Sequence, residues 1–389
     1  MAQNKRMANY ELLRILAMVM VVVMHFLAHS GNLPEIEEPL NGIKAIGALL
    51  ESFCLVAVNT YVFISGYFGI KSTFKPSKAV GLLCQIWFYA LTIPLVLSII
   101  GAFASIPTGA VSTVASTQGV YGLIQYLFPI ETEHYWFATS YFMLYLLTPI
   151  LNSAVKNMSK KQLQIVIGGL LILFSGIKSI SPVVFAFDRY GYDLPWFICV
   201  YLVAAYLGLY GSAFWEKKGW LIYIGSSLFG FFIGLTMWYL SQRWDRFSYY
   251  FTVPYHYNFL FCLTGAIGLF YGFSHIHIKE GRVEGGIRKL GSLCFGIYLL
   301  HEHIDLRFLW YTWIKQIVNP KGNGGFCFFF WELVFCVVIL FVLGIGIEWL
   351  RKLLFSCFIT GVIEKTRLYK IIKELDSKFL ENNRKESME

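Results

Sequence analysis

Two ionisable residues, Arg14 and His25, stand in the first apolar run of the chain, residues 12–28, where lipid-facing side chains would be hydrocarbon. Titratable groups in such a run are costly and turn toward a bundle interior or a water-filled cavity, which makes them the first candidates for chemistry. The two are eleven residues apart. At 100° per residue that is three turns plus roughly 20°, so both project from one helix face about 16 Å apart along the axis. Taken alone, Arg14 reads as an end-of-helix arginine that snorkels to the surface or pairs with Glu11. His25 alone reads as a packed histidine bonded to a carbonyl. Their shared face argues that they work together, a cation near the cytoplasmic mouth and, past mid-membrane, an imidazole. Imidazole titrates near neutrality and suits either a general base or a nucleophile that carries an acyl group.

Other polar residues interrupt the apolar runs. His25 and His29 are spaced i, i+4; His301 and His303 flank Glu302; His275 and His277 fall in a loop. Histidines at i, i+4 do share metals in helical sites, but no further ligand set at standard spacing accompanies these pairs, so no metal is expected. Asn59 and Ser65, Lys178, and Glu332 are the remaining intramembrane polar candidates. A carboxylate at Glu332 is placed to orient His25, to bind a substrate hydroxyl, or to pair with Lys178.

These residues need a scaffold made for lipid. With 57 % hydrophobic and 14 % charged residues, the chain has too little polar surface for a soluble globule. Apolar runs recur throughout, each long enough to cross a ~30 Å hydrocarbon core as a helix. We read ten: 12–29, 48–68, 79–105, 135–155, 163–180, 196–210, 220–240, 257–273, 290–310 and 326–350. Residues 121–128, cut off by Pro129, are too short to span and are expected to lie at the interface or to re-enter the membrane. The first run lacks a small-x-small cleavage site and is expected to stay as a membrane helix. The eight cysteines are scattered singly and read as small buried hydrophobes.

Basic residues accumulate in alternate loops. Lys5 and Arg6, then Lys71, Lys75 and Lys78, then Lys156, Lys160 and Lys161, and later Arg288 and Lys289 fall on one side. Glu35, Glu37, Glu38, Glu131, Glu133, Asp188 and Asp193 fall on the other. By the positive-inside rule the expected fold is an all-α polytopic transmembrane bundle of ~ten helices with both termini cytoplasmic. The net charge of +9 then follows from topology and calls for no nucleic acid. The organisation expected is one membrane domain, residues 1–356, followed by a charged cytoplasmic tail, residues 357–389.

The segment Asn9-Tyr10-Glu11-Leu12-Leu13-Arg14 through Met24-His25 resembles the basic-residue, ten-residue, histidine signature of the membrane-bound acyltransferase 3 family. Asn59 to Phe68, with its Ser65-Gly66-Tyr67 end, Trp136-Phe137 through Pro149-Ile150-Leu151, Trp196-Phe197, and Gly296-Ile297-Tyr298-Leu299-Leu300-His301 resemble further landmarks in the family's order. The resemblance extends from about residue 9 to residue 352. It implies a bacterial plasma-membrane enzyme that moves an acyl group, usually acetyl from cytoplasmic acetyl-CoA, onto a hydroxyl of a surface glycan or related acceptor. His25 and Arg14 are then the catalytic pair. Many members carry arginines after the Ser-Gly-aromatic element, whereas this chain offers Lys71, Lys75 and Lys78, which bind phosphate as point charges without the bidentate fork. His301 and Glu332 are expected to help hold the acceptor. The rival reading is a transporter or flippase of a lipid-linked glycan, in which Arg14 and His25 line a path and no acetyl-CoA is consumed.

Overall fold

The computed structural model describes residues 7–103, 119–181 and 183–386. Lys5, Arg6 and the expected end of the third span at Ser105 lie outside the described residues. Every regular element among the described residues is helical. The first is α1, Ala8–Ser30, closed by Gly31 in the left-handed region at φ 69°. Then come α2, Gly42–Cys54, and α3, Ala57–Gly69, two halves of one apolar stretch broken at Leu55–Val56. Next are α4, Pro76–Phe103, the short α5, Gly119–Leu127, and α6, Trp136–Asn157. α7, Lys160–Leu171, runs through a π-turn at Ile172–Gly176 into α8, Ile177–Ile180. The chain continues with α9, Leu194–Tyr210, α10, Ala213–Ser241, α11, Ser248–Thr252, and α12, Leu260–Ser274. It ends with α13, Arg282–Gly291, α14, Cys294–His301, α15, Trp310–Val318, α16, Phe326–Gly361, and α17, Arg367–Glu386.

α1 is the hub. It packs against α2, α3, α12, α13, α14, α15 and α16, so a side chain on any of its faces meets another helix. The outer helices turn apolar residues outward: Leu95 is 60 % exposed, Ile165 66 %, Leu221 67 % and Val342 65 %. Large apolar side chains spread over a surface in this way need a hydrocarbon solvent. Two close approaches hold the bundle together. A Cβ on Gly219 would lie 2.5 Å from the Gly272 nitrogen and 2.8 Å from the Gly268 oxygen, so α10 and α12 meet backbone to backbone. A Cβ on Gly66 would lie 2.7 Å from the Tyr201 oxygen, which brings α3 equally close to α9.

Among the described residues, seven helical stretches are long and apolar enough to cross a membrane. They coincide with seven of the ten expected spans. The other three differ in instructive ways. α6, Trp136–Asn157, takes up the expected span 135–155, but Thr139, Ser140, Thr148 and Asn152 lower its hydropathy, and Thr139 and Ser140 are turned into the bundle. α9 covers 196–210 and has only 17 residues. Residues 290–310 do not form one helix: α14 stops at His301, and the chain turns through residues 302–309 before α15. The turn is held by its own polar groups, with the Asp305 N–H donating to His303 Nδ1 at 3.1 Å and the Leu306 N–H to the His303 carbonyl at 2.8 Å. Glu302, His303 and Asp305 of this turn are buried in the protein, the setting in which irregular backbone among apolar helices is tolerated.

The tail is a helix docked on the bundle. Asp376 of α17 accepts from the Ser77 N–H at 3.0 Å, capping α4, and Phe379 meets Phe74 edge to face at 5.1 Å.

Candidate functional site

Arg14, Met18, Val21 and His25 follow one another at spacings of four, three and four, a single stripe along α1. Met18, Val21 and His25 line a small cavity of about 40 Å³. Its opposite walls are aromatic: Tyr61 from α3, Trp136 and Phe137 from α6, Tyr257, and Phe295 and Tyr298 from α14. Below it, the Tyr61 hydroxyl donates to the Arg14 carbonyl at 2.6 Å, and the Arg14 guanidinium forms an ion pair with Glu11. The expected pairing one turn apart is therefore present, and the shared face of Arg14 and His25 is occupied by a cavity wall. Gly291, at the end of α13, sits directly on Glu11; a Cβ there would lie 2.5 Å from Glu11 Oε2.

At His25 the stripe meets α14. His25 Nδ1 lies 2.9 Å from His301 Nε2, and His25 Nε2 lies 3.5 Å from Glu302 Oε1. His301 is the last residue of α14, and its Nδ1 reaches back one turn to the Ile297 carbonyl at 2.6 Å. α14 is fixed against α6 by two bonds: Tyr135 Oη donates to the Leu299 carbonyl at 3.0 Å, and the Phe137 N–H donates to Tyr298 Oη at 3.2 Å. His29, one turn beyond His25, keeps its ring 6.4 Å from that of His25, and its buried Nε2 has no hydrogen-bond partner among the described residues.

Of the sequence candidates, the fold brings His25 and His301 into contact and adds Glu302, which the sequence singled out only as the residue between two histidines. His303 faces another cluster, its ring 4.5 Å from that of His134, with Asp305 bound by Tyr126 beside it. Glu332 orients no histidine. Its carboxylate accepts from Tyr311 Oη at 3.0 Å and Asn319 Nδ2 at 2.6 Å. Nor does it pair with Lys178, which is buried against Asp188 and Tyr249. Lys71 and Lys75 lie in the α3–α4 loop and Lys78 in the first turn of α4; Lys71 and Lys78 are exposed. The loop is held at Lys75, whose N–H donates to Tyr145 Oη while that hydroxyl donates to the Lys75 carbonyl, each at 3.2 Å. His25, His301 and Glu302 are also the group of described residues that can share a metal ion, one ligand atom from each lying within 4.8 Å of the others.

A bundle of helices with apolar outer surfaces around a central helix, with an aromatic cavity whose wall includes the half-buried His25 beside Glu302, defines a multi-pass membrane protein. The chain belongs to the acyltransferase 3 family, whose profile, described as an acyltransferase domain, matches residues 7–350. It is a membrane acyltransferase by that membership. No curated protein and no solved structure matches the chain.

Proposed function

We propose that this acyltransferase is an O-acetyltransferase of the bacterial plasma membrane, with both termini cytoplasmic, which takes acetyl from cytoplasmic acetyl-CoA and passes it to a hydroxyl of a cell-surface glycan or related acceptor. The observation that carries this reading is the aromatic cavity on the Arg14–His25 stripe with His25 in its wall. Coenzyme A is a long thin arm with phosphates at one end and the thioester at the other. A cationic mouth, an apolar passage and a base deeper in are what such a molecule needs.

In this reading Arg14, together with Lys71, Lys75 and Lys78, attracts the phosphates. His25 Nε2 takes the proton of the acceptor hydroxyl while its oxygen attacks the thioester carbonyl carbon. The new C–O bond forms, the C–S bond breaks, and the proton passes from the imidazolium to the departing sulfur. Glu302, 3.5 Å from Nε2, stabilises the imidazolium that exists between those two transfers. Tyr61, Trp136 and Phe137 form apolar walls that keep bulk water from the thioester. A role as base is favoured over acyl carrier by the carboxylate beside Nε2, the atom that either role would use.

Inside-out membrane vesicles supplied with radiolabelled acetyl-CoA test the proposal. The expected result is label on an acceptor from wild-type vesicles and none from His25→Ala vesicles. Movement of a glycan across the membrane without consumption of acetyl-CoA would establish the transporter reading instead.

A further inference from the structure

The contacts of His301 determine which nitrogen of His25 is free. The Ile297 carbonyl is only an acceptor, so the 2.6 Å contact places a proton on His301 Nδ1. The opposite neutral tautomer would set a ring lone pair against the carbonyl lone pairs. Doubly protonated His301 would be an imidazolium at a position with 0 % exposure, hydrogen-bonded to a carbonyl and a second imidazole, while the Glu302 carboxylate, within 4.8 Å, makes no hydrogen bond to it and lies instead beside His25 Nε2. Neutral His301 therefore presents a lone pair at Nε2, and the group facing it at 2.9 Å, His25 Nδ1, must donate. Neutral His25 is left with its lone pair on Nε2, 3.5 Å from Glu302 Oε1. Two acceptors facing each other at that distance make a slot for a proton brought by a third group.

We propose that His301 is a positioning residue that fixes His25 in the Nδ1–H tautomer, anchored by the Ile297 carbonyl, so that Nε2 is the basic nitrogen beside Glu302. This deepens the reading of His25 as the base and rests on it for its catalytic consequence, but not for the tautomer itself. It also changes what is expected of His301. Both its nitrogens are engaged and it is fully buried, so it acts through His25 and does not hold the acceptor. The same logic operates where a carboxylate fixes a catalytic histidine; here a neutral histidine and a helix carbonyl do that work.

Two measurements test this. In the first, full-length protein labelled with ¹⁵N-histidine is reconstituted in lipid nanodiscs, and the His25 resonances are assigned by their loss in His25→Gln. The expected spectrum has a protonated Nδ1 and an unprotonated Nε2 at His25. A proton on His25 Nε2, or shifts of His25 and His301 that collapse on treatment with a chelator and so reveal a shared metal, overturns the proposal. In the second, acetyl transfer is compared in wild type, His301→Gln and His301→Leu. Glutamine can present a carbonyl oxygen to His25 Nδ1 and an amide N–H to Ile297; leucine can do neither. His301→Leu is expected to lower kcat on the order of a hundredfold with the KM for acetyl-CoA unchanged, and His301→Gln to recover at least tenfold of that loss. Equal losses in the two variants, or a change in KM alone, overturn the positioning role. Absence of transfer in the wild type would instead defeat the acetyltransferase reading, while the tautomer would still be decided by the spectrum.

Discussion

His25 Nδ1 lies 2.9 Å from His301 Nε2 although 276 positions separate the two residues. The contact joins the central helix of the bundle to the place where the expected span 290–310 stops short and turns, and Glu302 lies within 3.5 Å of the other His25 nitrogen. A polar turn within the bundle is costly unless its groups are satisfied by protein. Here the last residue of α14 and the first residue of the turn are the two side chains that meet the histidine of α1.

His25→Ala is expected to lower acetyl transfer at least a hundredfold, the scale of a lost general base, while the protein still accumulates in the membrane. The side chain lines a cavity, so its truncation enlarges a space that already exists. Transfer assays on membranes normalised by immunoblot check this. Near-wild-type transfer would remove His25 from the chemistry.

Glu302→Gln keeps the shape and removes the charge that would stabilise a His25 imidazolium. We expect kcat to fall about ten- to a hundredfold, with the KM for acetyl-CoA little changed, because the carboxylate acts on charge that develops only during the reaction. Steady-state kinetics in nanodiscs measure both constants, and an unchanged kcat defeats the role given to Glu302.

Arg14 is given different work from His25. Arg14→Ala is expected to raise the KM for acetyl-CoA, with kcat affected less, and Arg14→Lys to restore part of the loss, since a point charge attracts phosphate without the fork. Higher ionic strength should mimic the alanine defect in part, because a charge near the aqueous mouth is screened. The guanidinium is held by Glu11, so Glu11→Gln should shift the same constant. An unchanged KM with a collapsed kcat in Arg14→Ala would move donor binding to Lys71, Lys75 and Lys78.

Topology is tested by single cysteines in a background where the native cysteines are replaced. With a membrane-impermeant thiol reagent on intact cells, positions 37, 133, 245 and 321 are expected to label, and positions 71, 160, 217 and 288 are expected to label only after permeabilisation. The loop charges motivate the assignment. Labelling at position 71 or 160 in intact cells would overturn it.

Gly219→Val tests the α10–α12 contact. The added side chain meets the Gly272 nitrogen and the Gly268 oxygen within 3 Å, with backbone on both sides and no flexible group to yield. A loss of about 1–3 kcal/mol or more is expected, read as a lower midpoint of thermal unfolding in detergent. The nearby Gly225→Ala, whose added Cβ meets nothing within 4 Å, is the control and should unfold as wild type does.

The membrane bundle, the shared face of Arg14 and His25, the pairing of Arg14 with Glu11 and the family were all legible in the chain. Each depends on hydropathy or on spacing within one helix, and 3.6 residues per turn converts spacing into geometry without knowledge of any neighbour. The partner of His25 was not legible. Glu332 and Glu302 are both carboxylates within apolar runs; what separates them is that Tyr311 and Asn319 occupy one while α14 delivers the other to His25. The one signal available was the His301-Glu302-His303 triplet, polar residues crowded where a span was expected. Which of its three side chains faces α1 depends on where α14 ends and how it packs on α6. Those relations are set by contacts between segments far apart in the chain, so only the tertiary structure decided them.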